Sequence, residues 1–160
     1  MGQPHVVTLR ATRAGDLDAL FRFAHDAAAV RMAAFTVADP ADRAAFDAHW
    51  QRLFADPTVD SRTVRADGEI VGSVGRWFDD GIAEITYWID SEHWGQGIAT
   101  RAMRLFLDAL GERPVRARVA SDNAASIAVL EKLGFRQVGT DFGFANARGA
   151  EIEERIYLLQ

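Results

Sequence analysis

The chain has 160 residues, 49% of them apolar, no cysteine, and 23 acidic against 18 basic side chains for a formal charge of −5. That length and apolar share predict a single domain over residues 1–160 with a real core, and no linker, repeat or low-complexity run divides it. Disulfides, thiolate metal sites and a cysteine nucleophile are excluded. The acidic balance argues against broad nucleic-acid backbone binding and favours cationic small molecules or peptides. No apolar run approaches the ~20 residues of a membrane span and the first residues lack a signal peptide's apolar core, so a cytoplasmic protein with no membrane partner is expected.

Residues 6–10 (VVTLR) read as a first strand. A helix is expected over 16–25, with Asp16 a candidate cap and Leu17, Leu20, Phe21 and Ala24 as its apolar stripe. Residues 27–36 can continue as a second helix, and Asp39-Pro40 marks a break because the residue before proline is pushed out of helical geometry. Helical spacing resumes over 41–55 through Ala45, Phe46, His49, Trp50 and Phe54, and Pro57 ends it. From Ser61 the period falls to two. Strands over 61–67 and 69–78 join at Asp67-Gly68, and Asp79-Asp80-Gly81 turns into a third strand over 83–90.

An amphipathic helix follows over 98–110, stopped by Gly111 with Pro114 just beyond. Residues 115–121 (VRARVAS) alternate as a strand, 123–133 form a short helix stopped by Gly134, and 136–145 and 151–159 are two closing strands. This order predicts an α/β protein with a mixed sheet and helices on both faces.

The stretch over 84–110 organises the rest. Gly95 and Gly97 flank Gln96, leaving little bulk over the first amides of the 98–110 helix. Those N–H groups have no intrahelical partner and lie at the positive end of the helix dipole, so they suit an anion, phosphate above all. A tight turn with close packing is the other reading of Gly-x-Gly before a helix. A dinucleotide fingerprint fits poorly, because Thr100 stands where a third Gly or Ala belongs and VRARVAS ends without an acidic residue. A Walker loop lacks its Gly-Lys-Ser/Thr ending.

Two segments, YWIDSEHWGQGIATRAM (87–103) and NAASIAVLEKLGF (123–135), occur in the order and spacing that resemble the GNAT superfamily of acetyl-CoA-dependent N-acetyltransferases. The nearer match is the branch typified by the RimJ/RimL ribosomal-protein N-terminal acetyltransferases. The superfamily loop reads Gln/Arg-x-x-Gly-x-Gly/Ala; Gly97 and Ala99 match its last two positions, and Trp94 stands where Gln or Arg would be. The resemblance implies a mostly antiparallel sheet with one splayed parallel pair, and a slot between those strands for the pantetheine arm of acetyl-CoA, the expected co-substrate. By the same resemblance, amides of Gly95, Gln96, Gly97, Ile98, Ala99 and Thr100 bind the pyrophosphate, and backbone groups near Trp88 and Ile89 pair with the pantetheine. Asn123 contacts pantetheine or phosphate in that pattern; as the residue before AASIAVL it is equally a helix cap.

Acetyl transfer from a thioester needs a neutral amine, and an α-amino group (pKa about 8) asks less of a base than a lysine (~10.4). Glu84 is the candidate base by resemblance; its other reading is a strand residue paired with a neighbouring Arg. The tyrosine that many members use to protonate the thiolate is Leu130 here. Ser126, three residues after Asn123, matches the RimL-like acid, or bonds a backbone N–H in the first helical turn. Tyr87 and water are the remaining acids. His93 beside the loop is a turn residue, a cofactor contact or a base, and His49 is expected in packing. His5, His25 and His49 show no metal-site spacing, and no metal is expected.

The acceptor pocket is drawn from Phe35, Trp50, Trp77, Phe78, Phe142 and Phe144. Its expected occupant is an amine-bearing small molecule or a peptide or protein N-terminus, with the protein a monomer or homodimer. The competing class is a non-catalytic acyl-CoA-binding or sensing module.

Overall fold

The computed structural model describes residues 5–160; the first four residues of the expected 1–160 domain lie outside them. Strand β1 (Val7–Ala11) leads through a 3-10 turn to helices α1 (Leu17–Ala24), α2 (Ala27–Ala33) and α3 (Arg43–Ala55). The meander β2 (Asp60–Ala66), β3 (Glu69–Asp79) and β4 (Ile82–Ile89) follows. Helix α4 (Ile98–Leu110), β5 (Val115–Ala120), α5 (Ala124–Lys132) and the hairpin β6 (Arg136–Ala145) and β7 (Ala150–Leu159) complete the chain. The seven strands form one sheet in the order β1-β2-β3-β4-β5-β7-β6.

Both tight hairpins have the chemistry their sequences promised. Asp67 and Gly68 have φ of 52° and 86°, and Asp80 and Gly81 have 52° and 78°. Two consecutive left-handed residues give the turn whose twist matches the flanking strands. The sheet is antiparallel except for β4 and β5, and that exception places the site. Ala83 pairs with Val115 and Glu84 with Arg116, and the ladder stops there although β4 runs on to Ile89 and β5 to Ala120. The two strands fork.

Helices α4 and α5 cover one face. Ile98, Ala102, Met103, Phe106 and Leu107 of α4 and Leu130 of α5 pack on Val74, Ile85, Val115, Ala117 and Tyr157 of the sheet. On the other face Leu17, Leu20 and Phe23 of α1 and Trp50 of α3 form a second core with Ile70 and Trp88 against it. Phe106 alone, fully buried, contributes about 3 kcal/mol by removal from water.

Several local expectations are corrected. Asp16 does not cap α1 by its side chain. It sits at the end of the 3-10 turn, 3% exposed, accepting from Arg13 N, from both Arg10 Nη atoms and from the Thr63 hydroxyl. A buried carboxylate stays charged only when so paired, and Arg10 supplies a stronger partner than a helix amide. Helix α2 ends at Ala34, where φ 65° and ψ −57° with Phe35 N bonded to Ala33 O at 2.7 Å make a γ-turn, a strained conformation for alanine. His49 is exposed on α3 rather than packed, while Asp42 caps that helix through Ala45 N at 3.0 Å. Among the described residues, no helix is long and apolar enough to cross a membrane.

Candidate active site

The loop between β4 and α4 is built by two left-handed glycines, Gly95 and Gly97, each with φ 76°. They turn the chain so that α4 starts at Ile98 on the wall of a cleft of 420 Å³. The first helical bond runs from Arg101 N to Gly97 O at 3.2 Å. The amides of Ile98, Ala99 and Thr100 precede it and have no partner within the helix. All three residues line the cleft with Gly95 and Gly97.

The side chain of Gln96, the one side chain in Gly95-Gln96-Gly97, does not line it. It turns outward, and its Oε1 meets His5 Nε2 at 2.6 Å. Trp94, standing at the consensus Gln/Arg position, ties the loop back to its strand by donating from Nε1 to Ile89 O at 2.9 Å. The Ile89 carbonyl is therefore engaged by the protein, and its N–H is the group left for a ligand.

The cleft continues along the fork. Trp88, Ile89, Tyr87, Asn123 and Ser126 line it, as do Met32, His93 and Lys132. Asn123 caps α5, accepting from Ser126 N at 3.2 Å, and also donates from Nδ2 to Met32 O at 3.4 Å. Its helix-cap reading is thus observed, and its position on the cleft wall leaves the ligand reading open as well. His93 is held by Asp90 at 3.1 Å, an ordinary turn contact on the cleft rim.

A second cavity of 320 Å³ opens on the other side of the fork, and five residues line both: Ala33, Tyr87, Trp88, Asn123 and Ser126. At this junction the Tyr87 hydroxyl and Ser126 Oγ lie 2.7 Å apart. Burial pushes the Tyr87 phenol above its ordinary pKa, and the bond to Ser126 pulls the other way. The sequence offered Ser126 and Tyr87 as rival acids; the structure makes them one hydrogen-bonded pair.

Glu84 lines the second cavity and is 7% exposed. Its Oε1 accepts from Arg116 Nε at 2.5 Å and from Arg118 Nε at 3.4 Å, so the Arg pairing weighed from sequence is real. Arg118 in turn reaches Glu154 at 3.0 Å and Asp141 at 3.7 Å, and Arg116 reaches Asp79 at 2.6 Å. Of the aromatic residues expected around the acceptor, Phe35 and Trp77 line this cavity. Trp50 belongs to the core between α1 and α3, and Phe78, Phe142 and Phe144 are exposed elsewhere.

Three residues escaped the sequence reading. Lys132, the only lysine, stands on the wall of the first cleft, where a cation can meet a phosphate. Met32 packs α2 over the same cleft. Gly72 of β3 lies under the end of β4: a Cβ there would come within 2.0 Å of the Trp88 carbonyl oxygen and 3.0 Å of Ile89 Cα. Only glycine lets the Trp88–Ile89 backbone cross that close.

A fork in a mixed sheet beside a helix start stripped of side chains fits a long, thin, anionic ligand. Family comparison agrees. The model of the acetyltransferase (GNAT) domain matches residues 7–136, and the chain belongs to that family, whose enzymes use acetyl-CoA as co-substrate. Among solved structures, Mycobacterium smegmatis RimJ in complex with CoA-disulfide is similar at a TM-score of 0.81 and 26% identity, over 96% of this chain and 81% of that one. Spermidine N-acetyltransferase from Vibrio cholerae, solved with CoA and spermine, shares the fold at a TM-score of 0.77, with 22% identity over 95% of each chain. The uncharacterized N-acetyltransferase p20 of Bacillus licheniformis is 30% identical over 103 residues, which are 60% of this chain and 58% of that protein. The mixed sheet with one parallel pair and the GNAT resemblance read from the two motifs are both borne out.

Proposed function

We propose that this protein is a cytoplasmic, single-domain N-acetyltransferase that moves an acetyl group from acetyl-CoA to a primary amine. The α-amine of a peptide or protein N-terminus is the favoured acceptor and a small amine the next. The observation that carries the reading is the β4–β5 fork, whose ladder ends at Glu84 and Arg116, so that β4 runs on to Ile89 without β5 and into the loop that starts α4.

The residues present suit the coenzyme. Amides of Gly95 through Thr100 bind the diphosphate, with Lys132 close enough to add charge. The free edge of β4 at Trp88 and Ile89 orients the pantetheine arm as a paired strand would. Acetyl-CoA supplies the acetyl group as a thioester. An N–H at the end of β4 donates to the thioester oxygen as negative charge develops there. The acceptor amine approaches through the second cavity, and Glu84 takes its proton directly or through water. When nitrogen has bonded to the acetyl carbon and the carbon–sulfur bond breaks, the sulfur takes a proton from the Tyr87–Ser126 pair. Glu84 on the second cavity and the Tyr87–Ser126 pair where the two cavities meet support a direct attack between them.

The alternative is a non-catalytic acyl-CoA-binding module. The two arginines holding Glu84 favour it, since they compete with any incoming ammonium for the same oxygen. Calorimetry with acetyl-CoA tests the cleft: saturable binding is expected, and its absence removes both readings. A thiol-release assay over a panel of peptides and small amines then separates them, with turnover on at least one amine expected of the enzyme and none of the sensor.

A further inference from the structure

We infer that His5 is a positioning residue for the diphosphate-binding loop, acting by holding the Gln96 side chain away from the mouth of α4. The inference rests on the coenzyme reading just given.

Gly95-Gln96-Gly97 is a segment of little intrinsic stiffness. Both flanking glycines have φ 76°, and a Cβ at either would meet nothing within 4 Å. Gln96 is the only residue of the three whose side chain could swing across the amides of Ile98, Ala99 and Thr100. It is absent from the cleft lining because His5 holds it. His5 is itself fixed on its other side. Nδ1 meets Asp67 Oδ2 at 2.6 Å, and Asp67 Oδ1 accepts from Val6 N at 2.8 Å. Asp67 N also donates to Val6 O at 2.9 Å, and Arg101 Nη1 donates to His5 O at 2.6 Å. The latch therefore links four parts of the chain: the lead into β1, the β2–β3 turn, the phosphate loop and the first turns of α4.

Both ring nitrogens of His5 face oxygen acceptors. An imidazolium donates to both at once, whereas a neutral ring has a single N–H: on Nδ1 it keeps the Gln96 contact only if the carboxamide turns over, and on Nε2 it gives up the bond to Asp67. Among the described residues, the charged groups facing His5 are Asp67 from the β2–β3 turn and Arg101 from α4. The hydrogen bonds to Asp67 and then Gln96 push its pKa above the ordinary value, while desolvation and, less, Arg101 oppose them. The latch is thus firm below the His5 pKa and loosens as pH rises through it. The loop is held open for the diphosphate most securely on the acid side.

The experiment measures the dissociation constant by calorimetry from pH 5.5 to 8.5, for the full chain and for His5→Gln, Gln96→Ala and the double variant. Dephospho-CoA is the probe, because it keeps the diphosphate and lacks the phosphate monoester that titrates near neutrality. For the parent protein a roughly threefold to tenfold loss of affinity from the acid to the alkaline end is expected as His5 gives up its proton. His5→Gln should flatten that profile. Gln96→Ala should flatten it too and make the His5 substitution silent in the double variant, because the latch acts through Gln96. Pantetheine, which lacks the diphosphate, should bind all four proteins alike.

Parallel pH profiles for the parent and His5→Gln, or additive losses in the double variant, would overturn the assignment while leaving coenzyme binding intact. Absence of saturable binding of CoA to the parent would instead remove the coenzyme reading on which it rests.

Discussion

At Glu84 two guanidinium groups meet one carboxylate oxygen on the wall of the second cavity. If that carboxylate takes the amine proton, Glu84→Gln lowers the turnover rate at pH 7 by ~10²-fold, the low end of a general base's contribution. The rate then recovers in part at high pH, where the amine deprotonates itself; a pH–rate profile that keeps its shape would confine Glu84 to holding β4 against β5. Asp16 offers a test of stability. Arg10, together with Arg13 N and Thr63, holds its carboxyl at about 2, below the ordinary 3.8. A depressed folded pKa stabilises above the unfolded value and ceases to do so as pH falls through about 2. Asp16→Asn should therefore cost ~2 kcal/mol at pH 7 in urea unfolding, a gap that closes below pH 3. Sequence named both Asp16 and Asn123 as caps and was right about only one. An aspartate before an apolar run serves a helix amide or a buried arginine with equal chemistry, and only the fold brings Arg10 and Thr63 within reach.

Among the elements, the meander and the α4 helix were legible because their periods, Asp-Gly turns and terminal glycines agree with one another. The registry inside the sheet was not. Gly72 read as one more small strand residue, since a strand glycine can mark a bulge, a bend or a close approach. In the structure it makes room for the Trp88 carbonyl. Gly72→Ala should cost about 2 kcal/mol by overpacking. At temperatures where the variant is folded it should also weaken acetyl-CoA binding, because the displaced segment is the edge assigned to pantetheine. Calorimetry beside a thermal melt checks both halves, and unchanged affinity would detach Gly72 from the cleft. The end of α2 was equally hidden: no residue preference signals a γ-turn at an alanine, and there the anchoring of Ala147 N on Ala34 O and of Asn146 on Thr36 O holds the chain in place.

For the molecule as a whole, the two motifs gave the family and the cleft, while the acceptor side depends on long-range charge placement that no local pattern carries. Among the described residues, Asp79, Glu84, Asp141 and Glu154 pair with the two guanidinium groups of Arg116 and Arg118. A surplus of carboxylates on the acceptor face should favour peptides with a basic second residue over acidic ones. That preference should shrink several-fold between about 0.05 and 0.5 M salt as the field is screened; equal kcat/KM for both peptides at low salt would refute it. The fork between β4 and β5 reaches further than the chemistry. A sheet interrupted at its centre lacks rungs there, and a pantetheine chain lying along β4 would stand in for them. The coenzyme would then be a temporary eighth strand. Backbone amides along the inner edges of β4 and β5 would exchange with deuterium slowly while it stays and quickly once it leaves, so that each turnover opens and reseals the middle of the protein.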